Sequence, residues 1–129
     1  GVHLVVMPLD VTHKVLTTRA RVEAFRAIGS PVGRVAADWA DFFERFDKEK
    51  YGSDGGPLHD PTVIAYLIQP DLFKGRHINV EIETQSELTL GMTVADWWGV
   101  SGRAPNALFI GHVDEAGFFD LLIERISRL

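Results

Sequence analysis

Residues 55–61 read Gly55-Gly56-Pro57-Leu58-His59-Asp60-Pro61 and set an imidazole beside a carboxylate, just before an apolar run. A carboxylate where the chain enters a helix can point into a cleft as a hard oxygen ligand for Ca²⁺ or Mg²⁺. A neighbouring histidine can supply or accept a proton near neutral pH. The same stretch also makes a good helix start, with Asp60 as a natural N-cap and Pro61 at a favoured first helical position. These two roles do not exclude each other.

A second group is Pro8-Leu9-Asp10-Val11-Thr12-His13-Lys14. Asp10 and Thr12 fall where a strand ends and a helix begins, which is where open α/β sheets collect their ligands. A capping arrangement with His13 in the first turn is the favoured reading of them. Tyr51 closes a charged helical stretch ahead of His59, and Asp47 lies one turn earlier on the same helix face. Both could reach over a pocket, or could simply mark an exposed helix end.

Other chemistries lack their residues. The histidines stand at 3, 13, 59, 77 and 112, with no i, i+4 pair, and the chain has no cysteine, so a zinc site is not expected. Neither G-x-G-x-x-G nor G-x-x-x-x-G-K occurs, and no serine sits in a G-x-S-x-G elbow.

The elements that must hold these groups can be read from periodicity. His3 to Met7 is a short apolar run that reads as a buried strand. Helical spacing after Asp10-Val11-Thr12 places Val15, Leu16, Val22, Phe25 and Ile28 on one face, with a stop at Gly29. Ser30-Pro31 opens a second helix whose Val32, Val35, Ala36, Trp39, Phe42, Phe43 and Phe46 recur at helical spacing. A loop from Gly52 to Leu58 leads to a helix over Pro61 to Gln69. Residues 77–84 alternate, with Ile78, Val80 and Ile82 on one side, and predict a half-exposed strand. Residues 87–97 predict a strand bent at Gly91, 107–114 another strand, and 115–129 an amphipathic helix. The mixture implies an α/β or α+β fold, in a three-layer arrangement.

Composition agrees with a single domain: 129 residues, 46% hydrophobic and 24% charged. A net charge of -5 with scattered Lys and Arg argues against nucleic acid as a partner. No apolar stretch approaches the ~18 residues of a membrane span, so no membrane partner is expected. The lack of cysteine fits a reducing compartment, and a cytoplasmic location is expected. The chain opens directly on a strand-like run without a leader or an initiating Met, so it is expected to be a piece of something longer.

Three segments occur together in one order and spacing: "VVMPLDVTHKV", "YGSDGGPLHDPTVIAYLIQPDLF" and "VEIETQSELTLGMTVAD". As a set, from about His3 to Leu129, they resemble the carboxyl-terminal part of the inosine-uridine preferring nucleoside hydrolases. The resemblance implies a Rossmann-like mixed sheet flanked by helices. It implies hydrolysis of the N-glycosidic bond of ribonucleosides to ribose and free base, with a Ca²⁺ ion held mainly by aspartates. Asp60 matches the family's late Ca²⁺-binding aspartate, which also touches ribose hydroxyls. His59 matches the histidine near the leaving base, a general acid in some members. Tyr51 and Asp47 fall where the family places base-side residues on a mobile helix. Asp47 departs from the usual amide or tyrosine there. Asp10 and Thr12 belong to a family motif and are assigned to structural support.

The family's amino-terminal aspartate cluster, D-x-D-x-G-x-D-D, and its ribose-binding segment are absent from this sequence. One carboxylate cannot hold Ca²⁺ tightly. The chain alone is therefore expected to show little or no activity. Two rivals stand beside that reading: a non-catalytic remnant acting in assembly or binding, and one half of a two-chain site. The partners expected are a nucleoside and either a second copy or the missing amino-terminal half. Removing half of a shared sheet exposes an edge at His3 to Met7. The isolated chain should therefore self-associate or be marginally stable. Sedimentation with urea unfolding checks this; a sharp, reversible monomeric transition would count against it.

Overall fold

The computed structural model describes residues 1–129, apart from Phe46, Asp47 and Lys48, whose side chains lie outside the described residues. In chain order the elements are β1 (Val5–Val6), α1 (Leu9–Thr12), β2 (Leu16–Thr18), α2 (Arg19–Ala27), α3 (Pro31–Tyr51), β3 (Gly55–Pro57), α4 (His59–Ile68), β4 (Phe73–Ile78), β5 (Val80–Ile82), β6 (Thr93–Ala95), β7 (Ala107–Val113) and α5 (Glu115–Ser127).

Of the run expected as a buried strand over His3 to Met7, only Val5–Val6 forms β1, parallel to β7 with Val5 opposite Leu108 and Val6 opposite Phe109; Leu4 and Val5 are exposed, because β1 is an edge strand. β4 runs antiparallel along the other side of β7, with a bulge between Lys74 and Gly75. The result is a mixed sheet of order β1-β7-β4, flanked by helices, with β1 at one edge. Ile110 of β7 and Phe118 and Phe119 of α5 are buried with Val11, Val15, Val22, Phe25 and Phe73 in one core. Each large side chain hidden this way contributes roughly 1.5–3 kcal/mol relative to exposure. Phe118 and Phe119 meet edge to face at 5.0 Å, and the Arg21 guanidinium lies 3.9 Å over the Phe119 ring. Asp114 caps α5 by accepting from the Gly117 N–H at 3.1 Å.

The long helix expected between residues 10 and 28 is two helices with a strand between them. α1 stops at Thr12, and the chain turns through His13 and Lys14. It then runs extended as β2 before α2 begins. The β-branched pair Thr17-Thr18 follows Val15-Leu16, a run suited to a strand as much as to a helix face. What decides it is a partner: Leu16, Thr17 and Thr18 pair antiparallel with Pro57, Gly56 and Gly55. The expected loop from 52 to 58 thus carries β3, a strand that local patterning cannot reveal.

α3 starts as the sequence predicts. Ser30 Oγ accepts from the Gly33 N–H at 3.1 Å, the signature of an N-cap. Its inner face is small: Gly33, Ala37 and Ala40 are buried. A Cβ on Gly33 would stand 2.8 Å from Ile28 Cβ and 2.9 Å from the Phe25 carbonyl oxygen, so α2 and α3 approach too closely for a side chain. The large apolar residues therefore face outward. Trp39 and Phe42 are each 73% exposed, and Val32 and Val35 are also exposed. Phe46, on the same stripe by spacing, lies outside the described residues.

The alternating segment also divides. Its first two residues, His77 and Ile78, end β4, a main-sheet strand that begins at Phe73, ahead of the expected segment, while Val80–Ile82 pairs with Thr93–Ala95 in a separate two-stranded arm. The strand expected over 87–97 shrinks to β6, because the chain turns before it with Gly91 at φ 84°. Asn106 holds the arm's base: its Oδ1 accepts from the Val80 N–H at 2.8 Å and its Nδ2 donates to the Val80 carbonyl at 2.9 Å. Beyond the arm, the Ser101 hydroxyl and backbone N–H hold the Asp96 carboxyl below the ordinary carboxylate range.

The β2–β3 pair gives the fold's test. A Cβ on Gly55 would lie 2.6 Å from the Thr17 carbonyl carbon and oxygen, whereas one on Gly56 would lie 2.8 Å from the Phe43 ring. Backbone cannot yield, but a half-exposed ring can. Gly55→Ala should lower unfolding stability by ~1–3 kcal/mol, and Gly56→Ala by less. Urea denaturation of both variants checks the order.

Candidate active site

The site grows out of the β2–β3 pair. Thr17 Oγ1 donates to the Gly56 carbonyl at 2.9 Å, and the Leu58 N–H donates to the Val15 carbonyl at 3.0 Å. Thr62 Oγ1 donates back to the Leu58 carbonyl at 2.5 Å. Leu58 is thus held from both sides, and the helix begins at once. Its N-cap is Leu58, without a side-chain cap bond, and the first helical residue is His59. Asp60 is therefore not the cap expected from its residue type. It stands in the first turn, exposed, where its charge faces the positive end of the helix dipole. Pro61 follows as the third helical residue, at a point where its missing N–H costs no intrahelical bond.

His59 is half-buried, and its Nδ1 lies 2.7 Å from Oγ1 of Thr12, 47 residues away. The His13 ring stands against it, with centroids 5.4 Å apart and planes at 51°. Thr12 and His13 come from the end of α1 and the turn after it. Asp10, one helical turn before His13, is exposed in α1, whose N-cap is Pro8 with no side-chain bond, so the expected capping role for Asp10 is not observed.

His59 and Asp60 share the wall of an open groove of about 910 Å³ with Trp39, Phe42, Phe43 and Leu122. A hollow of about 400 Å³ continues past Asp60 toward Ile64, Ile68 and Arg125. The groove offers aromatic surface on which a flat ring can stack, with an imidazole and a carboxylate in the same wall. Tyr51 is exposed at the carboxyl end of α3, with Lys50 Nζ 5.0 Å over its ring, and it does not line this groove. Asp47 lies outside the described residues.

A Ca²⁺ ion wants six to eight oxygens. Among the described residues no three or more His, Asp or Glu side chains gather where they could hold a metal. Asp60 offers one carboxylate, so the residues of this chain do not by themselves fit a Ca²⁺ site. Among the described residues no helix is long and apolar enough to cross a membrane.

The sequence pointed to His59 and Asp60 and left Thr12 as support. Its hydroxyl instead reaches the imidazole. The available signal was a buried-type polar residue beside His13 in "DVTHK", but no spacing rule connects positions so far apart.

Comparison with known proteins gives a consistent picture. Residues 1–120 match the family described as inosine-uridine preferring nucleoside hydrolase. The chain is 48% identical over 128 residues to a pyrimidine-specific ribonucleoside hydrolase of Salmonella newport, covering 98% of this chain and 41% of that protein. It superposes on a purine-preferring ribonucleoside hydrolase from Gardnerella vaginalis with a TM-score of 0.77 and 27% identity, covering 93% of this chain and 38% of that one. A plant nucleoside hydrolase shares the fold at a TM-score of 0.83 over 100% of this chain and 42% of its own, at 23% identity. The chain spans about 41% of the length of curated relatives such as the Salmonella newport protein.

Asp60 is exposed and neither caps α4 nor forms a hydrogen bond or ion pair among the described residues. Asp60→Asn should therefore change unfolding stability by no more than ~1 kcal/mol, the scale of a helix-dipole contact. Thermal unfolding of the variant checks it; a larger loss would make Asp60 a structural residue.

Proposed function

The chain belongs to the inosine-uridine preferring nucleoside hydrolase family, and on that premise we propose that residues 1–129 form the carboxyl-terminal portion of a nucleoside hydrolase domain. In this reading the portion supplies the leaving-group side of a site that hydrolyses the N-glycosidic bond of ribonucleosides to ribose and free base. The observation that carries it is that His59 and Asp60 line one groove together with Trp39, Phe42 and Phe43.

The roles follow from position. Trp39 and Phe42 present flat apolar surface to a nucleobase. His59, held at Nδ1, turns its other ring nitrogen to the leaving base, where charge builds as the bond to the sugar lengthens. Asp60 would face the ribose hydroxyls and could give one carboxylate to a Ca²⁺ ion only if the remaining oxygens were supplied from outside this chain. Tyr51 and Asp47 act on the base side, from the far end of α3. The water-activating base also comes from elsewhere, so the chain alone turns over little or no substrate.

A second reading is favoured by the outward stripe of α3. Trp39 and Phe42 are each 73% exposed beside the site, a surface suited to burial under another polypeptide. The complete site would then form between two chains, or within an oligomer that acts in the cytoplasm.

The test is ribose release from inosine and uridine with added Ca²⁺. The chain is assayed alone, and mixed with the amino-terminal portion of a relative of the Salmonella newport type. No turnover alone and turnover on mixing are expected. His59→Ala should lower kcat in the mixture by ~10²–10⁴-fold, the usual range for a group that assists proton or charge movement. Asp60→Ala should abolish turnover in the mixture at every Ca²⁺ concentration tested. Turnover by the chain alone that is indifferent to both substitutions would overturn the proposal.

A further inference from the structure

We propose that Thr12 is a positioning residue for His59: its hydroxyl donates to Nδ1, fixes the ring plane and leaves the ring proton on Nε2. His59 then meets a heteroaromatic leaving group as a hydrogen-bond donor. The identity of what stands opposite Nε2 rests on the hydrolase reading above; the tautomer rests on geometry alone.

The contact is short, 2.7 Å from Oγ1 to Nδ1, and it is made by a buried hydroxyl: Thr12 is 2% exposed. A threonine hydroxyl has one proton to donate and two lone pairs to accept with. A donor hidden from solvent must find an acceptor. Among the described residues Oγ1 has a single hydrogen-bond partner, the imidazole. If Nδ1 carried the proton, the ring N–H would point at the hydroxyl oxygen, and the buried hydroxyl proton would have nowhere to go. If Nδ1 is bare, the hydroxyl donates to it and both groups are satisfied. The second arrangement places the ring proton on Nε2.

The anchor is itself held. The Thr12 N–H donates to the Pro8 carbonyl at 3.2 Å, and the Thr12 carbonyl accepts from Val15 at 3.1 Å. His59 is pinned through Leu58, whose N–H bonds Val15 at 3.0 Å. The His13 ring closes one side of the imidazole at 5.4 Å. Both ends of the contact thus hang on the stretch from Pro8 to Val15. The ring presents Nε2–H in one fixed direction.

A neutral imidazole does not give up its last ring proton to a nucleobase. It can stabilise growing electron density on a carbonyl oxygen or ring nitrogen of the leaving group by a hydrogen bond, with no proton changing hands. The serine or threonine hydroxyl is suited to this. A carboxylate in its place would accept from Nδ1–H and turn the ring toward the other tautomer.

The test reads the imidazole nitrogens directly. Long-range ¹⁵N–¹H correlation spectra are recorded on the ring-labelled chain at about pH 8.5, two units above the ordinary imidazole value of ~6.5. His59→Gln assigns the His59 signals by their loss. In the unmutated chain Nδ1 of His59 should resonate as a bare, pyridine-like nitrogen and Nε2 as a protonated one. Thr12→Val should move both toward the averaged values of a freely exchanging ring, and Thr12→Ser should restore the fixed pattern. A protonated Nδ1 in the unmutated chain would overturn the inference. So would a His59 pattern unchanged in a folded Thr12→Val. If Thr12→Val loses its fold, the unmutated chain and Thr12→Ser still decide. The spectra do not depend on turnover. A failed hydrolysis assay with the expected tautomer would strike the hydrolase reading alone, and the reverse result would strike only the role of Thr12.

Discussion

Three residue pairs, Leu16 with Pro57, Thr17 with Gly56 and Thr18 with Gly55, hold the functional end of this fold together. The ladder is short, but it joins positions about 40 residues apart, with all of α2 and α3 lying between them. Closing so long a loop costs conformational entropy. That cost is offset because the same closure buries Val11, Val15, Val22 and Phe25 in the core. The ladder ends one residue before α4 starts, so whatever fixes β3 also fixes the direction in which His59 and Asp60 point. The two glycines belong to this constraint. Gly55 lies against the Thr17 backbone, and any side chain there would force the strands apart.

The second organising feature is the division of α3 into a small face and a large one. Gly33, Ala37 and Ala40 let the helix lie close to α2. Ion pairs across that contact, Arg26 to Asp38 at 2.8 Å and Arg19 to Asp41 at 3.2 Å, are solvent-exposed and contribute little. Close packing is the stronger term. Having spent its small residues inward, the helix turns Val35, Trp39 and Phe42 to the groove beside His59. A large aromatic surface next to a fixed imidazole and a carboxylate is chemically coherent for a flat, polar ligand. The same surface is costly to leave in water.

Much of the fold was legible in the residues. The Ser30-Pro31 helix opening, the apolar run after Pro61 and the amphipathic carboxyl end form elements where periodicity placed them, while the start forms a shorter and more exposed strand than its residues suggest. Two of the misreadings share one cause. Val15 to Thr18 suits a helix face or a strand, and only a partner strand drawn from a glycine-rich loop settles which. Asp60 is a natural cap by type, but Leu58 is pinned by Val15 and Thr62, so the helix starts earlier. In each case a distant backbone bond overrode a local preference.

The sequence by itself determined the family, the mixed α/β class and the pairing of His59 with Asp60. Those are properties of residue types at fixed short spacings, which survive in any arrangement of the chain. Only the tertiary structure decided that Thr12 meets His59, that the aromatic stripe of α3 faces the groove, and that the carboxylate and imidazole side chains do not converge into a metal site among the described residues. The physical reason is that hydrogen bonds and burial act between atoms a few ångströms apart. For Thr12 and His59, at 47 residues' separation, that closeness is set by β2 meeting β3 and not by anything either residue says about itself.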